Sequence, residues 1–453
     1  MIYFILLISF LLRIISLNQS LWLDEATSAL VVKNLSFFDI VGKFSPGDFH
    51  PPLYYLFLKA WTNIFSYSEM SLRSPSIIFG VLTVYIIYLV GKEIFNKKVG
   101  IISSLFLATS SLHIYYSQEA RMYSMATFLV ILSVYLYLKL LKKITYRNLF
   151  LFSVSITAAV FTEYLTVFMF LVFFIWPLFD KRKSEWWRKF VISLLFPGIL
   201  GLLWLPVFIK QLFVGMHVGE SLPNWWNILG VSNFRNITLI PIKFMLGRVD
   251  VDANLFYGVI ISFLCVLYFF IINKSKNSTF LWVWLMTPIL LMVIMGVFVP
   301  VVYYFRILFV LPAFFLLLAS GINQQKDKIH FVLTSLILIV NLFTSFLYLT
   351  NKAFQREDWM GLTRYIEANK TGSGVIVFPS NANKEAYFYY VPNAKIAAPG
   401  EDLSKYDQIW IMSYLEDIFD PDKKYRSKVE ELNYTLKDER SFNGIGIVSL
   451  YTK

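Results

Sequence analysis

Apolar runs of roughly twenty residues recur along most of this chain, and they decide its class before any motif is read. Each is long enough to cross a hydrocarbon core about 30 Å thick as a helix that hydrogen-bonds its own backbone. The runs lack the period-two alternation of a membrane β-barrel. With 57% hydrophobic and only 15% charged residues among 453, there is more apolar surface than soluble cores can bury. The chain is expected to be a polytopic α-helical membrane protein. Spans are placed at 1–17, 75–93, 99–114, 123–141, 147–161, 164–180, 190–210, 254–273, 280–298, 304–321 and 330–349, about eleven helices. The first has neither a basic stretch before it nor a small-residue cleavage site after it, and reads as a retained anchor rather than a signal peptide.

The net charge of +12 would suit a nucleic-acid partner, but in a membrane chain the position of each cation matters more than the sum. The cations sort onto alternate loops: Lys92, Lys97 and Lys98; Lys139, Lys142, Lys143 and Arg147; Lys181, Arg182, Lys183, Arg188 and Lys189; Lys274 and Lys276; Lys326 and Lys328. The positive-inside rule makes these loops and Met1 cytoplasmic and argues against nucleic acid. An odd number of spans starting inside puts the tail outside a plasma or inner membrane. The single cysteine, Cys265, lies in an apolar run and says nothing about redox compartment.

Two outer loops are long, 18–74 and 211–253, while the cytoplasmic loops are short. LYYLFLKAW (53–61) is too short to span and is expected to lie along the interface. From about Asn351 apolar runs shrink to strand length. Residues 356–370 have helical spacing, and 374–379, 408–413 and 444–452 read as strands. The division is a transmembrane part, 1–350, and a small extracytoplasmic α/β domain, 351–453. TGSG (371–374) precedes a strand and is a turn rather than a nucleotide fingerprint.

This topology gathers the polar residues of the membrane part on one side. Asp24 and Glu25 stand in LWLDEATSAL, Asp48 and His50 in GDFHPPLYY, Arg73 at the close of that loop, Gln118, Glu119 and Arg121 in YYSQEARMY, Glu163 in FTEYL and Arg306 in VYYFRILFVLP. Ionisable groups near membrane depth are costly and tend to face a protein interior or a watery cavity. Each has a plain reading as well. Asp24 would serve as the N-cap of a helix running to about Lys33. Arg73 and Arg306 would snorkel to headgroups, and His50 would be a satisfied loop histidine. Arg121 would partner an acid structurally. The shared side is the stronger signal.

LWLDEA, HPPLYY, RSPS (73–76), YYSQEARMY, YYFRILFVLP and REDWMGL, in this order and topology, resemble the bacterial membrane glycosyltransferases of the dolichyl-phosphate-mannose protein mannosyltransferase type, glycosyltransferase family 39, and the similar aminoarabinose transferases that modify lipid A. The resemblance covers the chain to about residue 350 and the tail more loosely. It implies a C-type glycosyltransferase fold, an active site on the outer face, a polyprenyl-phosphate sugar donor and inversion at the anomeric carbon. The catalytic acid falls on Asp24 with Glu25 as its neighbour, and the acidic position after the third span on Glu119. The residue before the paired prolines, Lys in the aminoarabinose transferases, is His50 here.

The chemistry fits these residues independently. A lipid phosphate is already a competent leaving group, so one carboxylate beside the acceptor hydroxyl suffices as general base. Cations then stabilise the charge that develops on the departing phosphate. Asp24 suits the first role, and His50, Arg121 and Arg306 the second, with Asp48, Gln118, Glu119, Glu163 and Arg73 in support. Asp24, Glu119 and a water would also suit a divalent ion, which prefers oxygen ligands; no other cofactor is indicated. The expected partners are the donor, the bilayer and an acceptor protein, lipid or envelope glycan. The rival readings are a lipid-linked sugar transporter or flippase, which would also carry intramembrane charges, and a non-catalytic envelope assembly protein. A glycosidase would need a second acid at a defined separation.

Overall fold

The computed structural model describes residues 1–179, 182–221, 230–249, 255–380 and 383–453. Every expected span falls on helix. These helices are α1 (Ile2–Ile14), α5 (Glu69–Ile94), α6 (Lys97–Thr109), α8 (Tyr123–Lys142), α9 (Tyr146–Val160), α10 (Phe168–Phe179), α12 (Leu195–Ser221), α14 (Leu255–Ile271), α15 (Thr279–Met295), α16 (Leu311–Ile322) and α17 (Asp327–Thr350). Among the described residues five helices are long and apolar enough to cross a membrane alone; α1, α9 and the helices around 164–179, 258–271 and 308–322 are shorter apolar pieces. Along Ser184–His217 the apolar window buries nothing inside the protein, as a lipid-facing helix requires. The tail ends in a four-stranded sheet, so the whole is a helical membrane protein with a small C-terminal sheet domain.

Buried polar groups tie the helices. Arg13, fully buried in apolar α1, donates to Ser9 Oγ (2.8 Å), to the Ala108 carbonyl (3.1 Å) and to His113 Nδ1 (2.6 Å). Asn341 of α17 donates to the Phe106 carbonyl (3.0 Å), and Ser345 to that of Thr109 (2.8 Å). α6 breaks by 63° into α7 (Ser111–Ser117), where Ser110 caps the new helix. The expected span 99–114 is therefore bent, and residues 118–122 after the bend meet the first long loop, 18–74.

That loop holds α2 (Leu23–Asn34), the short helix α3 (Phe37–Asp39) and α4 (Leu53–Phe65). α4 buries Tyr54, Tyr55, Leu58 and Thr62 at helical spacing. The second long loop is less of a loop than expected. α11 (Ser184–Ser193) and α12 carry helix to residue 221, past the expected end at 210, and α13 (Phe234–Leu246) fills more of it. The remaining parts, 222–229 and 250–254, lie outside the described residues.

In the tail, α18 (Trp359–Asn369) starts later than its helical spacing suggests, because Asp358 caps it by accepting from the Gly361 N–H at 2.9 Å. The strands β1 (Gly374–Val377), β2 (Gln408–Met412), β3 (Thr435–Phe442) and β4 (Gly446–Thr452) lie in the order β1-β2-β4-β3, with β1 and β2 parallel and the other pairs antiparallel. β3, TLKDERSF, has no apolar signature because it is a solvent-facing edge. Alternation splits the sheet's faces. Val375, Val377, Ile409 and Ile411 build a core of their own, while Ile376, Trp410 and Met412 join Trp359 and Tyr387 in the main core.

Close packing at the far side gives a direct test. A Cβ on Gly321 would sit 1.8 Å from the Ile271 carbonyl oxygen, backbone that cannot swing aside. Gly321→Ala is expected to lower stability by about 1–3 kcal/mol, the usual cost of overpacking, read as an earlier thermal unfolding transition in detergent.

Candidate active site

The acids and arginines expected on the outer face meet where α2, the loop 118–122 and the segment 355–358 converge. Glu25 lies at the centre and is fully buried. Arg73 of α5 grips it side-on, Nε to Oε1 at 2.8 Å and Nη2 to Oε2 at 2.6 Å. The Ala120 N–H donates to Oε1 at 2.7 Å, and Arg356 Nε stands 3.7 Å from Oε2. Burial alone would raise this carboxyl, but Arg356 and Arg73 outweigh it and hold Glu25 below the usual range. The remaining donors of Arg73 go to the carbonyls of Leu17 (2.7 Å), Gln19 (2.6 Å) and Ser20 (2.9 Å). The expectation that Arg73 snorkels is overturned: its side chain is 1% exposed because loop carbonyls and an acid satisfy it inside.

Asp24 points elsewhere. α2 begins at Leu23, so Asp24 stands inside the first turn and is not the cap, as its plain reading would have it. Successive helical residues turn by about 100°, which sends Glu25 into the protein and leaves Asp24 with 40% of its side chain open. Its nearest cation is Arg121 Nη2, 3.6 Å from Oδ2. Arg121, almost wholly buried, also donates to Tyr55 Oη (3.1 Å) and lies 3.3 Å from His50 Nε2. Tyr55 passes the chain on, donating to Asp48 Oδ2 at 3.0 Å, and His50 Nδ1 lies 3.4 Å from the same oxygen. Although burial opposes it, His50 and Arg121 hold Asp48 below its ordinary range. Gln211 of α12 secures the loop from the other side, donating to the carbonyls of Ser45 (2.6 Å) and His50 (3.3 Å). The arrangement is an open carboxylate beside a buried, hydrogen-bonded cation cluster.

The structure of ArnT from Cupriavidus metallidurans in the apo state aligns with a TM-score of 0.58 over 98% of this chain and 96% of that one, at 9% identity. The fold is that of the C-type glycosyltransferases. ArnT bound to undecaprenyl phosphate aligns with a TM-score of 0.54 at 11% identity, over 99% of this chain and 96% of that one. The oligosaccharyltransferase of Archaeoglobus fulgidus, in complex with zinc and sulfate, aligns at 0.51 and 13% identity, over 91% of this chain and 68% of that one. In sequence, residues 49–209 match the family model of the dolichyl-phosphate-mannose-protein mannosyltransferases. No curated protein sequence matches the chain. The family match takes in His50, Arg73, Glu119, Arg121 and Glu163, while Asp24 and Arg306 lie outside it.

Within this C-type glycosyltransferase fold the other expected residues divide. Arg306 is half-buried near Tyr123 and Tyr303, and has no ion-pair partner among the described residues. Gln118 is spent on structure, donating to the carbonyls of Arg13 (2.9 Å) and Ile15 (2.7 Å) and accepting from Tyr348 (2.7 Å). Glu163 caps the turn that separates α9 from α10, accepting from the Leu165 N–H at 3.4 Å. Glu119 is buried with neither oxygen hydrogen-bonded, Arg356 Nη1 being 3.8 Å away. Burial, with the charge of Glu25 adding, pushes its pKa up to about 7 against the pull of Arg356, Arg248 and Arg121.

Those three arginines bear on the divalent ion expected at Asp24 and Glu119. Among the described residues no three His, Cys, Asp or Glu side chains come together to hold a metal, and a buried acid ringed by guanidinium groups is a poor donor set for a cation. The residues do not fit such an ion, and no step is routed through one.

Sequence reasoning missed Arg356 and Glu357 of the tail, although both stand in REDWMGL, and it missed Arg248. Arg248 and Arg356 lie over the Tyr115 ring at 4.6 and 4.4 Å and both donate to its hydroxyl, at 2.6 and 3.2 Å. The available signal was a second pair of adjacent charges, Arg356 and Glu357, answering Asp24 and Glu25.

Proposed function

We propose that the chain is an inverting glycosyltransferase that moves a sugar from a polyprenyl-phosphate donor to an acceptor on the extracytoplasmic face, with Asp24 as general base. The observation that carries this reading is the contrast within the acid cluster. Glu25, Glu119 and Glu163 are buried and Asp48 is largely covered, whereas Asp24 is the most open and sits beside Arg121. The base takes the proton of the acceptor hydroxyl as its oxygen attacks the anomeric carbon. The bond from that carbon to the phosphate oxygen breaks, and the lipid phosphate leaves with the electron pair. A phosphate needs no general acid to leave, but it gains negative charge, which Arg121, His50 and Arg306 are placed to stabilise. The undecaprenyl phosphate bound by ArnT has the chemistry of such a donor's carrier. The cationic loops give the direction: N-terminus inside, tail and site outside. The division into a membrane part to residue 350 and a tail from 351 belongs to the same reading.

The test is incubation of the purified protein in lipid with polyprenyl-phosphate sugars and envelope acceptors, following release of the lipid phosphate and labelling of the acceptor. Lipid movement between leaflets without glycosidic-bond formation would instead identify a flippase. Within that assay Arg306→Ala is expected to lower kcat about tenfold with a smaller rise in the donor KM, since a contact that strengthens as the phosphate gains charge is worth roughly 1.4 kcal/mol or more.

A further inference from the structure

Of the residues around Asp24, Glu357 comes from the tail, more than three hundred residues along the chain. The N-cap position of α2 is Trp22, which offers no side-chain acceptor. A helix N-terminus leaves its first N–H groups without intrahelical partners, and a carboxylate there is favourable for both hydrogen bonding and the helix dipole. Glu357 supplies it across 334 residues, its Oε2 accepting from the Leu23 N–H at 3.3 Å. The same oxygen accepts from Trp359 Nε1 at 2.7 Å, and Oε1 accepts from the Tyr414 hydroxyl at 2.9 Å. Both oxygens are thus held by the tail while one reaches α2.

The tail fixes this side chain firmly. Asn443 donates through Nδ2 to the carbonyls of Gln355 (3.4 Å) and Arg356 (3.1 Å), and its own carbonyl accepts from the Asp358 N–H (2.9 Å). Gly444 follows with φ +71°, and a Cβ there would lie 2.9 Å from Glu357 Cγ. The approach to α2 is stitched on the same line: Arg356 N to Gln19 Oε1 (3.1 Å), Met360 N to Ser20 Oγ (2.9 Å) and Leu21 N to the Tyr390 hydroxyl (2.8 Å). Each of these bonds ends within a few residues of Asp24.

We propose that Glu357 is a positioning residue for Asp24: the tail supplies the cap that α2 lacks, and through it fixes the direction of the carboxylate one residue further on. This rests on the reading of Asp24 as base. The groups facing Asp24 are Arg121 and Tyr55 from the membrane part and Glu357, Glu385 and Tyr414 from the tail. Burial pushes Glu357 up to about 6, with Asp24's charge adding. The tail is on this account a wall of the active site rather than an appendage.

The experiment compares the full-length wild type, Glu357→Gln, Glu357→Ala and Asp24→Asn by kcat and donor KM, with size-exclusion profiles and melting to check folding. Glutamine keeps an acceptor for the Leu23 N–H and removes the charge. It is expected to hold kcat and the donor KM near wild type, because the acceptor that caps α2 is still there. Alanine removes the cap as well and is expected to lower kcat about tenfold with the donor KM unchanged, the signature of a displaced base. If Asp24→Asn is inactive while a folded alanine variant keeps the wild-type kcat, the proposal is overturned. Full turnover by Asp24→Asn would instead overturn the assignment of the base, whatever the Glu357 variants do. Should the alanine variant fail to fold, the glutamine variant decides: a tenfold or larger fall in its kcat in folded protein overturns the proposal, since its side chain still caps α2.

Discussion

Asp24→Asn is expected to abolish sugar transfer, with kcat falling by about 10²–10⁴-fold, the range typical for loss of a general base. The asparagine is nearly isosteric, keeps the polar contact with Arg121 and removes only the basic oxygen. Because the Asp24 side chain is 40% open and pairs at a loose 3.6 Å, the variant should melt with the wild type. The check is donor consumption in lipid alongside thermal unfolding. Unchanged melting with lost turnover supports the assignment, and retained turnover sinks it.

Its neighbour is expected to behave in the opposite way. Arg73→Met leaves Glu25 buried with one guanidinium partner, Arg356 at 3.7 Å, and the Ala120 N–H. Removing one member of a fully buried ion pair typically costs about 3–5 kcal/mol, because the remaining charge is stranded. The variant should melt far earlier or fail to accumulate as a monodisperse protein. The double variant Arg73→Met with Glu25→Met should regain much of that loss, since replacing both charges avoids the stranded group. A single variant with wild-type melting would show that the pair is not holding α2 to α5. The acid dependence follows with a definite sign. The arginines hold Glu25 below its ordinary 4.5, so its stabilisation is complete above that pH and is lost as pH falls through the lowered folded value.

Together these results would separate two acids that the sequence sets side by side. The common tests of a membrane enzyme, activity and expression, would confuse them: both variants would look inactive, one through chemistry and the other through folding. Melting in detergent distinguishes the two.

Much of the architecture was legible without coordinates. Apolar length fixes which segments are helical, because a helix is the way for a lipid-exposed backbone to satisfy itself, and each expected span is indeed helix. The tail strands with apolar runs were legible for the same kind of reason, burial on both faces, and β3 was not, because an exposed edge strand carries Lys, Asp, Glu and Arg. The bend between α6 and α7 was hidden, since its apolar pattern continues across Ser110.

The site was legible only as a set. Local sequence put Asp24, His50, Arg121 and Arg306 on one side, because side is a matter of loop order and charge. What each does depends on partners that arrive from far along the chain. Arg73, 48 residues from Glu25, turns that acid into part of the core, and Glu357, 334 residues from Leu23, caps the helix that Asp24 stands on. The sequence by itself determined the membrane class, the helices and the company that Asp24 keeps. The tertiary structure decided which of two adjacent carboxylates stays open, because the desolvation of a charge is set by the groups that surround it in space and not by its neighbours in the chain.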